Sequence, residues 1–118
     1  MKKAFTLIEI MIVVGIIGLL ATIAIPNFVK SRNRANIQSC IVNLTQVDGA
    51  IQQWALDTKQ GDTAPVTPRD ILPYLRNLPT CPSGGKTFAD SYLLTTVQVP
   101  PTCLKVPLIH RLPDNITQ

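Results

Sequence analysis

Between Ile10 and Ile25 the sequence reads IMIVVGIIGLLATIAI, with Thr22 as its only polar side chain, and from Ala4 to Val29 the only formal charge is Glu9. At about 1.5 Å per residue, such a run crosses about 30 Å of hydrocarbon as a single helix. It reads as membrane-embedded. In a chain of 118 residues this leaves room for at most one modest soluble domain.

Lys2 and Lys3 supply the positive flank of a secretory signal peptide. The apolar part of such a peptide covers roughly 7 to 15 residues and ends at a small-residue cleavage site, whereas here the pattern continues through Pro26 into a helix-like segment. A plain single-pass anchor explains everything in the run except Glu9. A carboxylate within or bordering hydrocarbon costs a few kcal/mol, on the order of 3, unless it meets a partner. No Lys or Arg lies between Ala4 and Val29. Cleavage between Ala4 and Phe5 would create the missing cation, because an α-amino group such as the new one on Phe5 ordinarily titrates at about 7.7 to 8.0. Glu9 lies one helical turn from it and can pair with its own amine or with a neighbouring chain's.

The stretch KKAFTLIEIMIVVGIIGLLATIAIPNF resembles the N-terminus of type IV pilins and of the pseudopilins of type II secretion systems. The resemblance rests on a short basic leader, a small residue before the cut, Phe5 first and Glu9 fifth in the mature chain, the Gly15 and Gly18 pair, and Pro26. It implies that a prepilin peptidase cuts between Ala4 and Phe5 on the cytoplasmic side and methylates the Phe5 amine. It also implies that Glu9 aids assembly. The family usually carries Gly where this chain has Ala4, so slower processing is expected. Gly15 and Gly18 let apolar helices approach closely, although their spacing is not GxxxG. Pro26 removes a backbone donor and predicts a helix kink or local melting near Ala21 to Pro26.

Beyond the apolar run, Ile37, Cys40, Ile41, Leu44, Val47, Ile51, Trp54 and Ala55 recur at three- and four-residue intervals, which is one stripe of a helix. Asn36, Asn43, Gln46, Gln52 and Gln53 fill much of the other side. The helix is predicted to end around Asp57 to Gly61, with Gly61 as a left-handed cap. Thr67, Pro68 and Asp70 form a helix-start signal, and Pro73 keeps that helix short. KTFADSYLLTTVQV and TCLKVPLI read as two strands. The expected fold is α+β and pilin-like, with a long N-terminal helix packed on a small antiparallel sheet. The expected division is a leader over 1–4, a transmembrane and filament-core helix over 5–29, and a periplasmic domain over 30–118 built on helix residues of about 30–59. QSCIVNLTQVDGAIQQWA, together with CPSGG and PPTC, extends the resemblance to a subgroup of bacterial pilin-like proteins.

Three cysteines in a domain outside the cytoplasm suggest one disulfide and one spare thiol. Cys81 and Cys103 bracket the strand region and are the preferred pair, with Cys40 bonded to either as the alternative. A site of three cysteines and His110 has spacings found in no common zinc motif, so no metal and no cofactor are expected. Calcium, which the resemblance associates with major pseudopilins, finds only the isolated Asp90 and Asp114. His110 is the sole histidine, Ser83 and Ser91 lack a recognisable base, and SGGK is too short for a phosphate loop, so no enzyme is expected. The N-x-T matches at Asn43 and Asn115 carry no weight.

Lys30, Arg32 and Arg34 resemble a nucleic-acid patch, but loss of Lys2 and Lys3 lowers the formal charge from +4 to +2, and no aromatic residues interleave with the trio. Nucleic acid is not an expected partner. The expected partners are further copies in a helical filament, the prepilin peptidase and an inner-membrane assembly platform. The resemblance places the N-terminus in the cytoplasm and the C-terminal domain in the periplasm, and the product in a periplasmic or surface filament. A membrane-anchored protein that never polymerises is the alternative.

Overall fold

The structure, a computed structural model, describes residues 3–113. The chain divides into two compact units, Met1–Arg34 and Ala35–Gln118. Helix α1 spans Leu7–Thr58, with Pro26 inside it. The local melting expected near residues 21–26 is absent, since α1 is helical throughout. Pro26 deprives the Thr22 carbonyl of its donor and crowds it, yet the helix continues on both sides of it. The Thr22 hydroxyl meanwhile donates to the Leu19 carbonyl at 2.7 Å.

In the second unit, α1 buries Cys40, Leu44, Val47, Ala50, Ile51 and Ala55. Five of these lie on the stripe read from the sequence, and their three- and four-residue spacing keeps them on one side of the helix. Leu44, Val47 and Cys40 are fully buried. They pack in one cluster with Val66, Ile71, Cys81, Phe88, Tyr92, Val97, Cys103 and Leu112. Burying each large aliphatic side chain contributes about 1.5–3 kcal/mol.

Helix α1 ends differently from expectation. Lys59, not Gly61, takes the left-handed conformation, with φ 55°. The Gln60 amide donates to the Ala55 carbonyl at 2.9 Å and the Lys59 amide to the Leu56 carbonyl at 3.4 Å. These two bonds close the last turn in a Schellman arrangement, which satisfies carbonyls that the helix end would otherwise orphan.

Helix α2, Pro68–Ile71, follows Thr67 as read from the sequence, and a 3-10 turn at Leu72–Tyr74 continues it. The Asp70 carboxylate accepts from the Thr67 amide at 2.9 Å and from the Thr67 hydroxyl at 2.6 Å. The next segment departs from the strand expectation. Phe88–Ser91 is a short helix, α3, and the strands are only β1, Tyr92–Leu93, and β2, Thr102–Cys103. The local cause is capping: Thr87 accepts from the Asp90 amide at 3.2 Å, and Asp90 accepts from the Lys86 amide at 3.2 Å. β1 and β2 pair antiparallel, with Tyr92 opposite Cys103 and Leu93 opposite Thr102. Pro100 and Pro101 have no N–H, so the ladder does not extend before β2.

Two polar residues assigned to the wet side of α1 instead fasten the loops to it. Asn43 donates to the Thr80 carbonyl at 3.2 Å and to the Tyr92 hydroxyl at 3.1 Å, and Gln52 donates to the Val97 carbonyl at 3.1 Å. Bonds between the protein's own buried or half-buried groups replace water there, which fixes the loops to one helix register.

Candidate functional site

The N-terminal unit presents its apolar side chains without covering them. Phe5 is 83% exposed, and every large apolar residue from Leu7 to Val29 is at least half exposed. The helix is long and apolar enough to cross a membrane by length and composition. A Cβ built on Gly15 or Gly18 would meet nothing within 4 Å, so any close approach at those glycines lies outside the chain itself.

At the start of this helix the sequence TLIE forms a reciprocal cap. The Thr6 amide donates to Glu9 Oε2 at 3.0 Å, and the Glu9 amide donates to Thr6 Oγ1 at 3.3 Å. Two otherwise orphaned donors are thereby satisfied, and the carboxylate is drawn to the positive end of the helix. The capping role of Glu9 is one that pairing with an amine did not anticipate, although a Thr three residues before a Glu is a recognised start signal. The Phe5 nitrogen, the partner expected from the sequence, belongs to the residue before the one whose amide Glu9 accepts from. Ala4 and Phe5 precede the first turn and are exposed.

The second constellation lies in the domain. Cys81 Sγ and Cys103 Sγ are 3.6 Å apart, and His110 Nδ1 is 3.7 Å from the first and 3.8 Å from the second. Cys40 joins them, and the four candidate ligand atoms all lie within 4.8 Å of one another. The three sulfurs are free thiols. Each residue is held by a different segment: Cys40 by α1, Cys81 by the CPSGG turn, Cys103 by β2 and His110 by the turn that follows it. The CPSGG turn is tight. Gly84 has φ 112°, which favours glycine, and a Cβ on Gly85 would lie 2.0 Å from Ser91 Oγ and 2.8 Å from the Cys81 nitrogen. Ser91 Oγ accepts from the Cys81 amide at 2.9 Å and donates to the Thr87 carbonyl at 2.7 Å.

Burial pushes the Cys40 thiol up to about 12 and raises Cys81 as well. Burial, the largest influence on Cys103, acts in the same direction, but the Val106 and Lys105 amides together with the Cys81 and Cys40 thiols hold that thiol below its ordinary value. Burial lowers His110, which favours the neutral imidazole. The expectation of no metal rested on sequence spacing, which does not register this convergence of four segments. Asp90, one of the two residues considered for calcium, pairs with Lys105 at 2.5 Å. Asp114 and Asn115 lie outside the described residues.

An uncovered apolar N-terminal helix, with an α+β domain of one core and a two-stranded sheet, defines a pilin-like protein. The family described as "Prokaryotic N-terminal methylation motif" matches residues 1–25. The chain is 34% identical over 84 residues to the type II secretion system core protein G of Klebsiella pneumoniae, covering 66% of this chain and 60% of that protein. It is 31% identical over 99 residues to the protein of the same name from Klebsiella michiganensis, covering 71% of this chain and 70% of that one. Similarity at 44% over 61 residues extends to the type IV major fimbrial protein FimA of Dichelobacter nodosus, over 52% of this chain and 39% of the relative. No solved structure matches. The chain belongs to the type II secretion system core protein G family, whose members are structural pseudopilins and not enzymes.

Proposed function

We propose that this chain is a subunit of a type II secretion pseudopilus, held in the inner membrane as a prepilin, cut between Ala4 and Phe5, N-methylated on Phe5 and then assembled through its N-terminal helix. The observation that carries this reading is the uncovered apolar surface from Phe5 to Val29. Lipid covers such a surface in the stored subunit, and the same surface on other copies covers it in a filament core. The N-terminus faces the cytoplasm, where a prepilin peptidase reaches it, and residues 30–118 lie in the periplasm. An inner-membrane assembly platform extracts the processed subunit. The match to a fimbrial protein supports a second reading, a surface pilus.

Mass spectrometry of the chain from cells with active prepilin peptidase tests the processing. The expected mature terminus is N-methylated Phe5, and an intact Met1 terminus would overturn the proposal. Ala4→Gly should speed cleavage and Ala4→Leu should block it. Sheared surface fibres made of this chain would decide for the pilus over the pseudopilus.

A further inference from the structure

We infer that Cys40, Cys81, Cys103 and His110 form a structural zinc site, a Cys3His centre within the domain core. Three thiols and an imidazole, with no carboxylate, are the donor set of closed structural zinc sites. Bonds of about 2.3 Å to sulfur and 2.0–2.1 Å to nitrogen place neighbouring ligand atoms of a tetrahedron about 3.5–3.8 Å apart. The separations among Cys81, Cys103 and His110 are 3.6, 3.7 and 3.8 Å. They match one face of that tetrahedron, and Cys40, with its Sγ no more than 4.8 Å from any of the others, is the ligand within reach of the fourth corner.

The surroundings suit thiolates. The Ser83 amide is directed at Cys81 Sγ, and the Lys105 and Val106 amides at Cys103 Sγ. Such donors follow the cysteine by two or three residues and stabilise sulfur charge without adding a cation. Cys40 Sγ is 3.6 Å from the Tyr92 hydroxyl. That hydroxyl already accepts from Asn43, so its own proton is free to point at Cys40. Zinc with three thiolates and a neutral imidazole carries one net negative charge, and three amides and one hydroxyl meet it. On binding, three thiol protons and the water on the zinc ion pass to solvent, with no change of oxidation state.

A disulfide between Cys81 and Cys103 is the competing use of the same atoms. It requires an S–S distance of about 2.05 Å and leaves Cys40 and His110 buried without that partner. Zinc engages all four.

The test uses the full chain, extracted from membranes in detergent without reductant or chelator. Elemental analysis should find about one zinc per chain, and cobalt exchanged into the site should show the intense visible bands of a tetrahedral thiolate centre. His110→Ala should lose the metal, and His110→Cys should recover it as a four-cysteine site. A merely structural imidazole would not be replaced by a thiol. Tyr92→Phe removes one outer hydrogen bond and should weaken zinc binding by about 10-fold or more. In the wild type, which needs no substitution to fold, a chelator should lower the thermal midpoint and added zinc should restore it. A mapped Cys81–Cys103 disulfide, or a chain free of zinc whose midpoint ignores both chelator and zinc, would overturn the inference.

Discussion

Replacing Glu9 separates the two tasks assigned to its carboxylate. The first task is local: Glu9 accepts from the Thr6 amide at 3.0 Å and closes the first turn of α1. Loss of a cap of this kind costs about 1 kcal/mol, within a range of about 0.5–2. The second task, which we propose, is pairing with an α-amine in a filament core, where removing one partner of a buried ion pair costs about 3–5 kcal/mol. At about 1.4 kcal/mol per factor of ten, capping alone accounts for roughly a fivefold loss of assembly, and pairing for more than about a hundredfold. Glu9→Gln keeps an oxygen for the Thr6 amide and removes only the charge, since Gln serves in a capping box as Glu does. The expected order of filament yield is wild type well above Glu9→Gln, with Glu9→Gln close to Glu9→Ala. Thr6→Ala, which removes the reciprocal half of the cap, should assemble within about tenfold of wild type. Membrane insertion should survive in all three, because loss of a charge at Glu9 or of a hydroxyl at Thr6 eases entry into hydrocarbon. The assay compares assembled and membrane-held pools after the processed N-terminus has been verified by mass. Wild-type filament yield from Glu9→Gln would refute charge pairing and leave Glu9 as a helix cap.

Leu44→Ala should destabilise the domain by about 2–5 kcal/mol in chemical denaturation, since Leu44 is fully buried and its removal leaves a cavity. Gly85→Ala should cost about 1–3 kcal/mol, because the new methyl group meets the Cys81 backbone as well as Ser91 Oγ; an unchanged unfolding midpoint would show that the CPSGG turn gives way freely. Asp70 is held below the ordinary carboxylate range by the Thr67 hydroxyl and then by the Thr67 amide. Its folded pKa is therefore depressed, so its contribution is complete above a pH of about 4 and is lost as pH falls through the folded value. Asp70→Asn should remove that part of the acid dependence of unfolding and leave stability near pH 7 governed by the other groups.

The stripe from Cys40 to Ala55 was legible because a helix buries residues at a fixed period, and tertiary packing did not have to be known. The Thr6 and Glu9 cap was equally legible in TLIE, yet a carboxylate in an apolar run first demands a cation, and that demand masks the amide three residues before it. KTFADS was misread for a different reason. Its Thr and Phe favour a strand, but Thr87 and Asp90 are placed to cap a helix, and side chain to backbone bonds won over propensity. The Schellman end at Lys59 was hidden because glycine is the usual sign of a left-handed residue, and here lysine carries it. The four-residue centre left the weakest trace. Its ligands come from α1, a turn, a strand and a second turn, so no fixed spacing records their meeting.

The lack of any covering contact along the first half of α1 divides the tolerance of the chain to mutation. Phe5 to Val29 makes no contribution to a core, so conservative apolar exchanges there pass unseen by thermal or denaturant unfolding of the domain. Cys40 to Ala55 answers to the opposite screen, because each of its buried positions is scored by folding before any later event can act. A deep scan read by fold stability and a second read by assembled product should therefore give nearly complementary maps over one continuous helix. Positions silent in the first and severe in the second would trace the face that one copy presents to the next.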